Sequence, residues 1–147
     1  MSTTDTGAPA AAGAGTSPLD RLEALAALEH HFAVAVTTNA DATPQVAVVN
    51  IGVVSDPATS EPRLGFVARQ GAKLANLRQR PRATIVVRAG WEWIAASGPV
   101  TLAGPDDPAP GVDQDALVAL LRDIFHAAGG HHPNLDWGAS AVQVSSP

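Results

Sequence analysis

Two hydrophobic periods alternate along the chain. Over residues 18–29 (PLDRLEALAALE) the apolar positions Leu19, Leu22, Leu25, Ala26 and Leu28 recur at helical spacing. Ser17 is placed to cap this helix, and Pro18 takes its first position, where a missing N–H is harmless. From Phe32 the period falls to two. Residues 33–38 (AVAVTT) read as a strand, 39–44 (NADATP) as a turn and 45–54 (QVAVVNIGVV) as a second strand, so the three make a hairpin. On that second strand Val46, Val48, Asn50 and Gly52 share one face, and Ala47, Val49, Ile51 and Val53 the other. A loop at 55–62 precedes a third strand at 63–68 (RLGFVA). Gly71 and Pro81 then bracket a helix of two to three turns. Residues 82–88 (RATIVVR) are rich in β-branched side chains and read as a strand. Residues 91–103 (WEWIAASGPVTLA) make a long strand with Trp91 and Trp93 on one face and a bulge expected at Gly98-Pro99. After a Pro/Gly-rich loop at 104–111, residues 113–128 form an amphipathic helix capped by Asp113, with Leu117, Leu120, Leu121, Ile124 and Phe125 on its apolar face.

Hairpin connections between strands argue for an antiparallel sheet or barrel with helices packed outside it. The expected class is α+β, mainly β. A barrel this small has little room inside for a whole cofactor. A ligand would lie across its outside or in a groove shared by two subunits.

A length of 147 residues fits one domain, taken as residues 18–147. Residues 1–17 are small and polar and read as a disordered leader, not a signal peptide. The absence of cysteine excludes disulfides and thiolate metal sites. No apolar run approaches the length of a membrane span, so a cytoplasmic protein is the expectation, with no membrane partner.

Charge changes the picture more. The formal net charge is -5, yet six of the nine Lys and Arg residues fall in 69–88: Arg69, Lys73, Arg78, Arg80, Arg82 and Arg88. No Asp or Glu lies between Glu61 and Glu92. A cationic block in an acidic chain points to a local anion, or more plainly to a solvated basic helix. On a helical wheel Lys73, Asn76 and Arg80 share a narrow arc, with Leu74 and Leu77 beside it to face a core. The first turn after Gly71 exposes free N–H groups that receive a phosphate or carboxylate well. The block has no interleaved aromatics for base stacking, which argues against a nucleic-acid partner. Asn50, polar in an apolar run, needs a hydrogen-bond partner if buried, in a ligand or a neighbouring segment; Gly52 leaves room for a flat ligand or another backbone. His30 and His31 are adjacent and make a poor chelating pair; a helix C-terminus suits them better. His131 and His132 read as a loop terminus. No nucleophile–base pair, metal-ligand spacing or paired carboxylate stands out, so no catalytic residue and no metal ligand is nominated.

Several motifs carry a family resemblance. They are Thr37-Thr38-Asn39 through Pro44-Gln45-Val46 to Val49-Asn50; Lys73-Leu74-Ala75-Asn76-Leu77-Arg78 with Pro81-Arg82-Ala83-Thr84; and Gly90-Trp91-Glu92-Trp93 leading to Ala103-Gly104-Pro105-Asp106-Asp107. In these the chain resembles the pyridoxamine-phosphate-oxidase-like split β-barrels, and more narrowly the actinobacterial flavin/deazaflavin oxidoreductases that use coenzyme F420. The resemblance implies a split barrel with flanking helices, and a homodimer with equivalent cofactor sites at the subunit interface. It implies that Lys73, Asn76 and Arg78 hold the cofactor's phosphate or acidic tail. It implies that Gln45, Val49 and Asn50 lie against the (deaza)isoalloxazine ring, and that Trp91 and Trp93 line the site or the interface. The implied reaction is hydride transfer from reduced F420 to an unsaturated or quinone-like organic acceptor, with the cofactor carrying the chemistry. The size of the cationic block suits the several negative charges of F420. FMN is the alternative cofactor, and a non-catalytic flavin or tetrapyrrole binder the alternative class. Relatives close the barrel with a final strand; here only residues 141–144 could supply it, so a shortened closing segment is expected.

Overall fold

The computed structural model describes residues 2–6, 17–130 and 139–145. Among them the elements run β1 (Ser2–Thr6), α1 (Pro18–Ala27), β2 (Phe32–Thr38), β3 (Pro44–Asn50), β4 (Gly52–Ser55), β5 (Pro62–Ala68), α2 (Ala72–Gln79), β6 (Arg82–Ala89), β7 (Glu92–Ala103), α3 (Gln114–Ala127) and β8 (Ser140–Val144). Every strand pairing is antiparallel. The spatial order is β3-β2-β6-β7-β8-β5-β4, with β1 added on β7. The two strands at the ends of this path, β3 and β4, are consecutive in sequence and separated only by Ile51. The sheet must therefore curl until its ends meet, and β3 comes to lie against β5 across a seam without pairing to it. The result is a split β-barrel with flanking helices.

The expected single strand over 45–54 is thus two strands. Its break has a local cause. The Ile51 N–H makes a last bond across to the His31 carbonyl, opposite it in register, at 2.9 Å, but the His31 N–H turns back to the Ala26 carbonyl at 2.8 Å, and the Asn50 amide donates to the His30 carbonyl at 3.1 Å. The end of α3 presses on the next residue: a Cβ on Gly52 would lie 2.5 Å from the Ala127 Cβ and 2.7 Å from the Ala128 nitrogen. The room that Gly52 leaves is filled by a backbone, not a ligand.

β7 is the hinge of the architecture. Its first part pairs with β6 in unbroken register as far as Pro99, and its second part pairs with β8 from Val100. The expected bulge at Gly98-Pro99 is instead a change of partner. Pro99 has no N–H to give; its carbonyl accepts from the Ser145 N–H at 2.8 Å, and the Val100 N–H donates to the Pro81 carbonyl at 2.8 Å. Ser140–Val144 is buried throughout and inserts between β7 and β5, so this short segment is the closing strand. Residues 2–6, within the stretch expected as a leader, pair with 94–97 of β7. That pairing needs only backbone groups, which any composition provides. Residues 7–16 and 131–138, with His131 and His132, lie outside the described residues.

The barrel interior is filled by Ile85, Val87, Ile94, Leu64, Phe66 and Val142, and it is closed by Leu22 and Leu25 of α1 and by Leu74 and Leu77 of α2. An eight-residue helix is marginal alone. Two fully buried leucines contribute about 1.5–3 kcal/mol each, so packing holds α2 in place, not propensity. A second cluster packs Leu117, Leu120, Leu121 and Ile124 of α3 against Val54, Ala103 and Ala141 on the outside of the barrel. No described helix is long and apolar enough to cross a membrane.

The contact at Gly52 predicts that Gly52→Ala lowers the unfolding free energy by about 1–3 kcal/mol in urea denaturation. Adding Ala127→Gly should restore only part of the loss, because backbone atoms of Ala127 and Ala128 also stand within 2.7 Å of the new methyl position. Full recovery would show that the side chain alone matters.

Candidate functional site

A cleft of about 740 Å³ opens at the barrel seam. One wall is β3, which contributes Gln45, Ala47, Val49 and Asn50; the other is the turn at 69–73 that leads into α2; the end of α3 supplies Phe125 and Ala128. The walls are remote in sequence. They meet because β3 and β5 face each other where, among the described residues, the barrel is not hydrogen-bonded shut.

The turn carries the electrostatics. Gly71 has φ 155°, and a Cβ there would meet nothing within 4 Å, so conformation and not space calls for glycine. No side chain caps α2, and its first-turn N–H groups remain open to an acceptor. Lys73, half-buried, holds its ammonium 5.7 Å from the centre of the Phe66 ring. Burial pushes the Lys73 pKa below its ordinary value, and no carboxylate opposes the shift. A bound anion would oppose that shift and favour the charged form, which makes this end of the cleft the better-matched place for one. Arg69 lines the same end.

Arg78, Arg80 and Arg88 bond elsewhere. Asn76 is 8% exposed; its amide donates to the Asn39 carboxamide oxygen at 2.9 Å and to the Thr37 hydroxyl at 3.4 Å, and it accepts from Arg80 at 3.1 Å. Arg80 also donates to the Thr38 carbonyl at 2.7 Å. Together they tie α2 to the β2–β3 hairpin. Arg78 makes a two-pronged pair with Asp107 at 2.9 and 2.8 Å, in a separate groove beside Pro81 and Leu102. Arg88 donates to the Gly90 carbonyl at 2.7 Å. The turn at 39–43 is fixed in turn by Asp41, which accepts from both the backbone and the hydroxyl of Thr43; these bonds lower its pKa.

Of the residues singled out in the sequence, the cleft therefore gathers Gln45, Val49, Asn50 and Lys73. Asn76 stands behind it as a brace, and Arg78 faces another groove. Trp91 is 92% exposed at the β6–β7 turn and Trp93 is half-buried opposite Arg88; neither lines the cleft. Sequence reasoning missed the contribution of α3. Phe125 looked like one more residue of an apolar helix face, and nothing local distinguishes it from Leu121, which is fully buried.

No family model matches the chain. Solved structures share its fold. One is a pyridoxamine 5'-phosphate oxidase-related, FMN-binding protein from Nostoc punctiforme, 17% identical with a TM-score of 0.62, covering 87% of this chain and 76% of that one. Another is a NimC/NimA family protein from Clostridium acetobutylicum, 16% identical with a TM-score of 0.56, covering 83% and 77%. At these identities the likeness is one of fold: the chain is an FMN-binding-like split barrel in architecture.

The Arg78 guanidinium beside Asp107 holds that carboxyl below its ordinary value of 3.8. A lowered folded-state value means that the pair stabilises the fold above the unfolded carboxyl pKa, and that this stability is lost as pH falls through the lower folded value. Wild type should be more stable than Asp107→Asn near neutrality, and the gap should close below about pH 4 in denaturant titrations. A gap that persists in acid would assign the difference to packing instead.

Proposed function

We propose that the chain is a flavin-type oxidoreductase that transfers hydride between reduced coenzyme F420 and an unsaturated or quinone-like organic acceptor. The observation that carries the reading is the seam cleft, with an anion-receptive end at Gly71 and Lys73 and a flat strand wall from Gln45 to Asn50. Its volume of about 740 Å³ falls within the range of small-molecule and cofactor sites. Lys73, Arg69 and the first turn of α2 would hold a phosphate. Ala47 and Val49 would support one side of a ring system, and Phe125 would exclude water from it. When bound, the cofactor supplies the hydride chemistry. The protein supplies orientation and charge.

FMN is the second reading, and one observation favours it. Arg78 and Arg80 bond to Asp107, Thr38 and Asn76 and do not line the cleft; Arg69 and Lys73 do. Two cations and a helix terminus suit one phosphate as well as they suit a longer acidic tail. Titration with F420 and with FMN, followed by cofactor absorbance, separates the readings. Micromolar F420 binding with weak FMN binding supports the first, and the reverse order supports the second. Binding without turnover on quinone-like acceptors would leave a non-catalytic carrier. Lys73→Ala should weaken whichever cofactor binds by roughly 1–3 kcal/mol, about five- to 150-fold. Unchanged affinity would remove the anion site from α2.

The reading includes a homodimer with equivalent sites at the interface. The outer face of the sheet around β2 supports it. Val34 lies between Val48 and Val86, Val36 beside Val46, and both are only partly buried. Val46 is 57% and Val48 67% exposed, with Phe32 at 50% on the same face. An apolar face of this kind marks an interaction surface. Sedimentation should show a dimer that Val48→Glu converts to a folded monomer; a wild-type monomer at micromolar concentration would end this part of the reading.

A further inference from the structure

Of the nine Lys and Arg residues, Lys73 is the one lysine. The two residue types are not interchangeable. A guanidinium keeps its proton and meets a phosphate with a rigid fork; an amine can lose its proton and then attack carbon. The chain places its single alkyl amine side chain in the first turn of α2, half-buried in the wall of the seam cleft.

The surroundings of that amine favour its neutral form. Among the described residues Lys73 makes no hydrogen bond and no ion pair. Its Nζ stands 5.7 Å from the centre of the Phe66 ring, close to the ~6 Å at which such an attraction fades. The charged side chains lining the cleft are Arg69 and Lys73 itself; no Asp, Glu or His lines it. Arg69 is a like charge and gives the ammonium no support. Burial therefore outweighs the weak ring contact and pushes the Lys73 pKa down. Desolvated lysines of this kind are the amines that attack carbonyl compounds. Beside the amine, Ala47, Val49 and Phe125 offer apolar surface that suits a flat, uncharged molecule.

We propose that Lys73 is a covalent capture site for small, flat aldehydes, held as an imine on its Nζ. The neutral nitrogen attacks the carbonyl carbon and a C–N bond forms. The carbonyl oxygen then leaves as water, taking both amine hydrogens, and the C=N bond closes. Nothing is oxidised or reduced. An anion at the same end of the cleft would keep the amine protonated, so capture belongs to the anion-free cleft. The inference goes beyond the cofactor reading and does not depend on it: it holds whether or not F420 or FMN binds.

The test uses salicylaldehyde, whose imines absorb visible light, on the full chain in a buffer free of amines and phosphate near neutral pH. Cyanoborohydride traps the imine as a stable secondary amine, and peptide mass spectrometry locates it. The only other alkyl amine of the chain is its α-amino group, which serves as an internal reference. An N-acetylated peptide of residues 69–78 gives the rate of an ordinary lysine. Lys73 in the folded protein should be trapped at least about tenfold faster than in the peptide. The rate should also saturate with aldehyde concentration, because the aldehyde binds before the bond forms. Equal rates in protein and peptide overturn the inference, and so does labelling confined to the α-amino group. A rate that climbs linearly without limit overturns it too, since an amine reacting on simple collision behaves that way. Lys73→Arg keeps the cation and should reduce the visible band to that of the α-amino group; an undiminished band overturns the inference. The comparison of wild type with the peptide needs no variant, so a misfolded Lys73→Arg would not spare it.

Discussion

One residue closes this protein. Ile51 joins the two strands that stand at opposite ends of the sheet path, and a chain cannot do that unless the sheet curls round to meet itself. Closure is thus covalent at the seam and hydrogen-bonded elsewhere. The requirement explains several features that otherwise look unrelated. The ladder with β2 must stop at Ile51, whose N–H makes its last bond to the His31 carbonyl while the His31 N–H turns back to Ala26. Gly52 must come close to the end of α3, so it can carry no side chain. α1 must end in a left-handed corner to bring both histidine carbonyls to the junction.

The same closure creates the cleft. Where two strands face each other without pairing, a gap remains whose walls are fixed by the barrel but not filled by it. β3 is free on that side, and α2 enters beside it with an uncapped first turn. The site is therefore a by-product of topology, sharpened by a few residues. A ligand that bridged the walls would restrain the seam, and binding would stabilise the fold through ordinary linkage.

How much of this was legible in the sequence depends on the range of the cause. The hairpin, the third strand, the basic helix, the long seventh strand and the last helix follow from periodicity and punctuation, because those are local. The break at Ile51 does not. Residues 45–54 are almost uniformly apolar, and the groups that bend them come from His30, His31 and Ala127. The strand at 2–6 was equally hidden, since backbone pairing leaves little trace in composition. In the site, Gly71 and Lys73 could be read from spacing, whereas Phe125 could not, because its role depends on where α3 ends relative to β3.

The cationic block shows why a charge count is not a charge map. In sequence it stands clear of every carboxylate from Glu61 to Glu92, which suggests a large demand for an external anion. In space Asp107 arrives from the loop after β7 and takes Arg78, and Arg80 turns inward to the Thr38 carbonyl. Ion pairs and carbonyl contacts of this kind serve architecture: one ties the loop to α2, the other ties α2 to the hairpin. The cleft itself is lined by Arg69, the half-buried Lys73 and a helix terminus. A site of that size suits one phosphate, and its charge does not by itself distinguish cofactors with longer and shorter acidic tails.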